Sequence, residues 1–398
     1  MPWRQVDPMT ERLRFIADAR QRVASFTELC QHYGISRVTG YKWLHRADQA
    51  GLAQLEELSR RPHTCPHATP APLVARLLAA RRRHPSWGPR KLLKVLRRRD
   101  RREGRPVAWP ARSTVADLLR RHGLITPRRR RRFPGHPGRP LTPMTAPNRI
   151  WTADFKGQFR TGDGSYCYPL TVQDGFSRYL LGCRGLTGTT GAESRPVFER
   201  LFREYGLPEI LRTDNGVPFA TEALRRLSQL SVWWIRLGIY PELIQPAHPE
   251  QNGRHEYMHR TLKAATARPP AATPRQQQRR FDAFRCEYNE LRPHEALADE
   301  TPASIYRPSP RPYPRRPPPL EYPAHFEVRR VSRNGGVRWH HRWVNVSHVL
   351  GGESVGFTEV DDGEWDLYFG PVKLGRFHER LLRIEDAFGR LARHHAKV

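Results

Sequence analysis

The stretch Ile150-Trp151-Thr152-Ala153-Asp154-Phe155-Lys156-Gly157-Gln158-Phe159 decides how this chain is read. Its alternation predicts a strand, with Trp151, Ala153 and Phe155 on one face and Thr152, Asp154 and Lys156 on the other. Gly162-Asp163-Gly164 then marks a turn. Tyr166 to Gln173 reads as a second strand and Arg178 to Cys183 as a third, joined through Asp174-Gly175. Beyond them the pattern changes period. A helix over about 192–205 precedes a short strand, Glu209 to Thr213, which ends in Asp214-Asn215-Gly216. A helix over about 221–237 follows, then an apolar run from Ile239 to Ile244. A loop with Pro246, Pro249 and Gly253 opens a helix from about Asn252 to Ala267. Three meander strands followed by alternating helices and strands predict an α/β domain over 148–306, a mixed sheet with helices on both faces.

Three acids stand out within this domain. Asp154 is mid-strand on the polar face, Asp214 closes a strand, and Glu256 sits in the first turn of a helix. Strand ends and adjacent helix starts are where open α/β sheets place their sites. Carboxylate oxygens are hard ligands, suited to Mg²⁺ or Mn²⁺. Two such ions can activate an attacking oxygen and stabilise the leaving oxygen of a phosphodiester. Asp174 is an acid of another kind, because its Asp-Gly context favours a turn. His248, His255 and His259 are not read as zinc ligands, since carboxylate–metal chemistry needs no imidazole. Trp233 and Trp234 are expected in the core and on the helix surface.

Working toward the N-terminus, residues 8–57 read as a helix-turn-helix unit. Ser25 and Glu28 form a capping box, Gly34 ends that helix, and Ser36 caps a third, from Arg37 to Arg46. This third helix has the place of a recognition helix. Arg37, Thr39, Gly40, Tyr41 and Lys42 are its candidates for DNA contact, with Trp43 and Leu44 in the core. A second unit of the same plan is expected over 72–125. Pro89 starts a basic helix bearing Arg90, Lys91, Lys94 and Arg97, and Ser113 is expected to cap the next. Between the units lie His63, Cys65 and His67, which lack a second ligand pair at zinc-site spacing. Residues 126–147 form a basic linker, and its Arg128, Arg129 and Arg130 are further candidates for phosphate contact.

Toward the C-terminus, Arg275 to Glu290 reads as a basic helix and 307–323 as a Pro/Arg-rich linker. Residues 324–380 are expected to form a small β-barrel. Asn334-Gly335-Gly336 and Asp362-Gly363 are its hairpin turns, and Trp339, Trp343, Trp365, Tyr368 and Phe369 its core.

Composition agrees with a nucleic-acid partner. The 398 residues carry 69 Lys plus Arg against 39 Asp plus Glu, a formal net charge of +30. A surplus of that size repels itself unless a polyanion neutralises it. No apolar run reaches the length of a membrane span. Five scattered Cys argue against a disulfide framework and for a reducing, cytoplasmic compartment.

Three segments carry a family resemblance. Trp151 to Gly157, Arg212-Thr213-Asp214-Asn215-Gly216, and His248-Pro249-Glu250-Gln251-Asn252-Gly253-Arg254-His255-Glu256 resemble the three motifs of the DDE (RNase H-like) integrase core. They are most similar to those of bacterial insertion-sequence transposases. The resemblance extends over Gln173 to Tyr179 and over Tyr288-Asn289-Glu290-Leu291-Arg292-Pro293-His294. It implies Asp154, Asp214 and Glu256 as catalytic, metal-holding acids and Lys263 and Asn252 as DNA contacts. It also implies an SH3-like C-terminal barrel, a homo-oligomer on double-stranded DNA, and two Mg²⁺ or Mn²⁺ ions. The implied reaction is cleavage at the terminal inverted repeats and joining of the 3′-OH ends to target DNA. For the third acid, 35 residues separate Asp214 from Glu250 and 41 separate it from Glu256. The shorter spacing is the usual one of the family. Glu256 is nonetheless preferred, because it follows the Gly by three residues and lies on the helix, whereas Glu250 lies in a loop. Arg260 reads equally as an ion-pair partner of Glu256 and as a phosphate contact. Two other functions stay open: a DNA-binding regulator with an inactive core, and a nuclease acting on RNA–DNA hybrids.

Overall fold

The computed structural model describes residues 7–51, 55, 68–125, 141–245, 251 and 253–386. The chain divides into two compact units, Met1–Thr69 and Pro70–Val398.

The first unit holds α1 (Pro8–Gln21), α2 (Phe26–His32) and α3 (Arg37–Ala50). Each start is capped. Asp7 accepts from the Met9 and Thr10 N–H groups, Ser25 and Glu28 form the reciprocal box, and Ser36 accepts from the Thr39 N–H. Phe15, Ile16, Leu29, Cys30, Trp43 and Ala47 build the core. Gly40 proves to be a packing residue. A Cβ there would lie 2.8 Å from Cys30 Sγ and 2.9 Å from the Phe26 ring, so only glycine lets α3 approach so closely.

In the second unit, α4 (Ala71–Arg83), α5 (Pro89–Arg102) and α6 (Arg112–Arg121) enclose Leu77, Trp87, Leu92, Leu96, Trp109 and Val115. The buried Asp100 accepts from Trp109 Nε1 at 2.7 Å and pairs with Arg76. Ser113 does not cap α6. The helix starts two residues earlier than that cap would place it, with Ala111 in the cap position and no side-chain cap bond.

The central sheet contains β1 (Ile150–Phe155), β2 (Phe159–Arg160), β3 (Tyr166–Asp174), β4 (Leu180–Leu186), β5 (Ile210–Thr213) and β6 (Tyr240–Leu243). β3 runs antiparallel to β1, β2 and β4, while β1–β5 and β5–β6 are parallel. The expected mixed sheet is therefore present. Lys156, Gly157 and Gln158 interrupt what reads as one strand from 150 to 159. Trp151, Ala153 and Val172 face α7 (Gly191–Tyr205) and α8 (Gln229–Arg236). The opposite face carries α9 (Gly253–Thr266) and α10 (Pro274–Cys286), whose Met258, Leu262, Phe281 and Phe284 cover Cys167, Leu180 and Cys183. The expected helix over 221–237 is shorter, since a 3₁₀ turn at Leu224–Arg226 precedes α8. Both Trp233 and Trp234 are buried, so neither lies on the helix surface.

After a π-turn at Glu287–Leu291 and the short α11 (Pro302–Ile305), the Pro/Arg segment lies against the core. Arg311 donates to the carbonyls of Pro208 (2.7 Å) and Gly238 (2.8 Å), which fixes the Pro/Arg-rich linker to the core. The C-terminal strands are β7 (Glu327–Arg330), β8 (Gly336–Trp339), β9 (Arg342–Asn345), β10 (Ser354–Asp361), β11 (Glu364–Phe369), β12 (Val372–His378) and β13 (Arg383–Asp386). The expected closed SH3-like barrel is not formed among the described residues. β13-β12-β11-β10-β7 make an open antiparallel sheet, and β8–β9 form a separate hairpin. The hairpin covers the sheet through Val337, Trp339 and Val344, which pack with Phe357, Leu367 and Phe377. Apolar contact thus buries the sheet face without a ladder to close it. Trp343 is left 46% exposed, outside the core in which it was expected.

Candidate active site

Asp154 lies on β1 beside the parallel strand β5, where Thr213, the residue before Asp214, pairs with Ala153. Strand register therefore brings the two acids to the same end of neighbouring strands. β5 is fixed from its other side. Arg212 is 4% exposed and donates to Glu242 on β6 at 2.6 Å and to the Thr142 carbonyl at 2.6 Å. The turn after β5 is pinned as well. Asn215 Nδ2 donates to the Ile244 carbonyl at 2.7 Å, and its Oδ1 accepts from Arg226 at 3.0 Å. Glu256 stands in the first turn of α9, with its neighbour His255 turned into the protein and wholly buried.

The electrostatics of these groups are linked. The Asp154 carboxyl is pushed up to about 7, mainly by burial and then by the negative charge of Asp214, with Glu256 adding in the same direction. Asp214 is raised too, by burial, against a hydrogen bond from the Gly216 backbone. Like charges gathered at a partly buried strand end need a cation or a proton between them. The donor set, carboxylate oxygens with no Lys or Arg ion pair among the described residues, fits a divalent ion of the Mg²⁺ or Mn²⁺ type.

One feature here escapes the sequence reading. His255 and His259, dismissed as ligands, lie against Asp154. His255 Nδ1 is 2.8 Å from Thr152 Oγ1 and its Nε2 is 2.6 Å from Thr171 Oγ1. His259 Nε2 is 2.6 Å from the same Thr171 oxygen, and its Nδ1 is 3.6 Å from Asp154 Oδ2. Burial holds both imidazoles neutral, with His255 lowered to about 3 and His259 lowered further. Two histidines four apart on one helix, opposite Thr152 and Thr171 on adjacent strands, are the signal that could have found this cluster.

Asp174 plays the turn role its context suggests. It accepts from the Asn148 N–H (2.7 Å), the Ser177 N–H (2.7 Å) and Ser177 Oγ (2.6 Å). Arg260 is exposed and makes no ion pair with Glu256 among the described residues. Lys263 is exposed on α9 and lines a shallow groove with Lys156, Phe159, Leu262 and Phe281.

The other candidate contacts divide. Arg37, Tyr41 and Lys42 are exposed on α3. Lys42 leans toward the Trp43 ring at 4.8 Å. Thr39 is half-buried and shares its hydroxyl with Ser36 at 2.9 Å. On α5, Arg90 is engaged inside the protein, with Glu295 at 2.6 Å and Asp299 at 2.7 Å. Lys94 and Arg98 bind Glu300 at 2.9 and 2.8 Å. Lys91 is half-buried, and burial lowers its amine to about 8. The basic face of α5 is thus largely committed to an acidic segment after the core. Arg128, Arg129, Arg130, Asn252, Glu250, His248, His63, Cys65 and His67 lie outside the described residues.

Comparison with known proteins agrees with this architecture. Residues 144–249 and 237–302 match two models of the integrase core domain. Residues 11–63 match a helix-turn-helix domain and 39–119 a homeodomain-like domain. A Burkholderia multivorans protein, "Insertion element IS407 uncharacterized 31.7 kDa protein", is 30% identical over 182 residues, covering 45% of this chain and 63% of that one. The Pol polyprotein of Radiation murine leukemia virus is 28% identical over 127 residues, covering 32% of this chain and 21% of that one. The chain therefore spans less than two thirds of the length of either curated relative. Among solved structures, the HTLV-2 integrase catalytic core domain in complex with magnesium is 17% identical with a TM-score of 0.32, covering 42% of this chain and 100% of that one. A simian T-cell lymphotropic virus intasome in complex with PP2A regulatory subunit B56 gamma is 16% identical with a TM-score of 0.36, covering 66% and 90%. Residues 144–302 are thus similar to integrase core domains, and regions before them to helix-turn-helix and homeodomain-like domains.

Proposed function

We propose that the protein is a DDE transposase that binds the terminal inverted repeats of its own element, cleaves the ends and joins them to target DNA. The observation that carries this reading is the strand register that sets Asp154 and Asp214 at the same end of neighbouring strands in a region similar to the integrase core domain, with Glu256 in the first turn of α9 as the third acid of the reading. Asp154, Asp214 and Glu256 would hold two Mg²⁺ or Mn²⁺ ions, which supply activation of the attacking oxygen and stabilisation of the leaving oxygen. The protein's own side chains position the DNA. No protein nucleophile is required, so no covalent protein–DNA intermediate forms. Water attacks first and frees a 3′-OH, and that hydroxyl then attacks a target phosphodiester.

Arg37, Tyr41 and Lys42 on α3 serve as end-binding contacts, with Thr39 chiefly a capping partner. Lys263 and Asn252 place phosphates beside the acids, and Arg128, Arg129 and Arg130 follow the backbone between the modules. Arg90 and Lys91 contribute after these, since Arg90 must release two carboxylates to reach a phosphate. A homo-oligomer brings two ends together. The test is a strand-transfer assay with duplex element ends and a supercoiled target. Joined product with Mg²⁺ and none with EDTA supports the reading. End binding without any cleavage in Mg²⁺ or Mn²⁺ would instead mark a regulator with an inactive core. Preferential cutting of an RNA–DNA hybrid would mark a nuclease.

A further inference from the structure

We propose that His259 Nδ1 is a nitrogen ligand of the metal centre that Asp154 helps to hold, which makes the site prefer Mn²⁺ to Mg²⁺. The inference rests on the metal-holding role of Asp154 proposed above.

The argument is an account of protons. Thr171 Oγ1 has three neighbours: the Asp154 carbonyl at 3.0 Å, His255 Nε2 at 2.6 Å and His259 Nε2 at 2.6 Å. A hydroxyl carries one donor and two acceptor lone pairs. A carbonyl can only accept, so the Thr171 proton goes to Asp154 O and both imidazoles donate from Nε2. A neutral imidazole has a single N–H. Both Nδ1 atoms are therefore bare lone pairs. That of His255 is satisfied by the Thr152 hydroxyl at 2.8 Å, which is shorter than the 3.3 Å from that hydroxyl to the Gln173 carbonyl. His255 is thus spent at both nitrogens and acts as scaffold.

His259 differs. The residue is 5% exposed, its Nδ1 makes no hydrogen bond among the described residues, and Asp154 Oδ2 lies 3.6 Å from that nitrogen. Two acceptors facing each other in a largely buried place repel unless a proton or a cation lies between them, and a divalent ion held by the neighbouring acids supplies the cation. Two ligand atoms, each about 2 Å from one ion, lie about 3.0–3.5 Å apart, close to the spacing found. The ligand atoms of Asp154, His255 and His259 all lie within 4.8 Å of one another, and the proton account selects His259 over His255 as the one free to bind. Imidazole raises affinity for Mn²⁺ and later transition metals far more than for Mg²⁺, which favours oxygen.

The experiment is Mn²⁺ binding to the full-length protein without DNA, followed by electron paramagnetic resonance. Free Mn²⁺ gives the affinity, and pulsed measurements read the nuclear modulation of a directly bound ¹⁴N. Wild-type protein is expected to bind Mn²⁺ and to show the ¹⁴N modulation. His259→Asn should abolish the modulation and weaken Mn²⁺ binding about ten- to a hundredfold, the range seen on losing a supporting metal contact, while Mg²⁺ competition changes much less. The modulation in wild type needs no variant, so misfolding of His259→Asn cannot mask a negative result. Bound Mn²⁺ that is lost in Asp154→Asn but shows no ¹⁴N modulation overturns this inference and leaves the carboxylate site standing. Modulation that survives in His259→Asn overturns it as well. Absence of any Mn²⁺ binding sensitive to Asp154→Asn overturns both the inference and the metal role beneath it.

Discussion

The two ends of the β1–β3 ladder present the same side chain in opposite circumstances. At one end Asp174 pairs across from Trp151, and at the other Asp154 pairs across from Thr171. Both carboxylates are raised by burial. Asp174 receives three short hydrogen bonds, from Asn148 and Ser177, and so closes a turn and a chain crossing. Asp154 instead has a backbone hydrogen bond from Phe155, lies 3.6 Å from His259 Nδ1 and feels the charges of Asp214 and Glu256. A buried carboxylate with donors stabilises its surroundings; one set among acceptors and other acids is held ready for a cation.

The sharpest way to break this comparison is to remove each charge in turn. Asp154→Asn should lower cleavage and joining by about three orders of magnitude or more, several kcal/mol of transition-state stabilisation, while end binding by gel shift stays near wild type. Asp174→Ala should do the reverse. It strands two backbone N–H groups and should cost about 2–4 kcal/mol of stability in urea unfolding, with activity falling only as the folded fraction falls. If Asp174→Ala were stable but inactive, the assignment of a purely structural role would fail.

A smaller effect concerns pH. The Asp154 carboxyl titrates near 7 in the folded protein against an ordinary 3.8. Between these values the folded state binds more protons than the unfolded one. This group's contribution is therefore full below about pH 4, falls as pH rises, and is lost above about 7. His255 and His259, held neutral, act in the opposite sense, since the unfolded chain gains protons on them below about pH 6.5. Comparing wild type with Asp154→Asn cancels the histidine contribution. Without metal, the variant should melt above wild type at pH 8, and that advantage should shrink as pH falls and vanish by about pH 4. Equal melting points throughout would show that Asp154 carries no unrelieved charge.

The smallest expected effect separates the two helical regions. Arg37 is exposed, whereas Arg90 is bound to Glu295 and Asp299. Arg37→Ala should weaken end binding and reduce its salt dependence by about one phosphate contact. Arg90→Ala should leave the salt slope nearly unchanged. An equal slope change in both would show that α5 meets DNA as freely as α3.

Much of this was legible in the sequence, for reasons visible in particular residues. The alternation of Trp151 to Asp154 and the capping residues Ser25 and Ser36 are local signals, and the corresponding strand and helices form. What failed depended on distant partners. Arg90 and Lys94 read as free cations until Glu295, Asp299 and Glu300 are found beside them some two hundred residues later in the chain. Arg311 reads only as part of a Pro/Arg-rich linker until the carbonyls of Pro208 and Gly238 receive it. The closed barrel was expected from turn spacing, but whether a hairpin completes a ladder or only covers a sheet is decided by packing. The imidazoles carry no local signal of their own; only the shared hydroxyl of Thr171, on another strand, ties them to the Asp154 end of the sheet.

The central claim is that Asp154, Asp214 and Glu256 together cut DNA through bound metal. It is tested most directly by Mg²⁺-dependent nicking of a duplex carrying the inverted repeats that flank the coding sequence, with Glu256→Gln and Glu250→Gln run beside wild type. The account predicts a nick leaving a free 3′-OH for wild type and Glu250→Gln, and none for Glu256→Gln. Full nicking by Glu256→Gln, with Glu250→Gln silent, would contradict it.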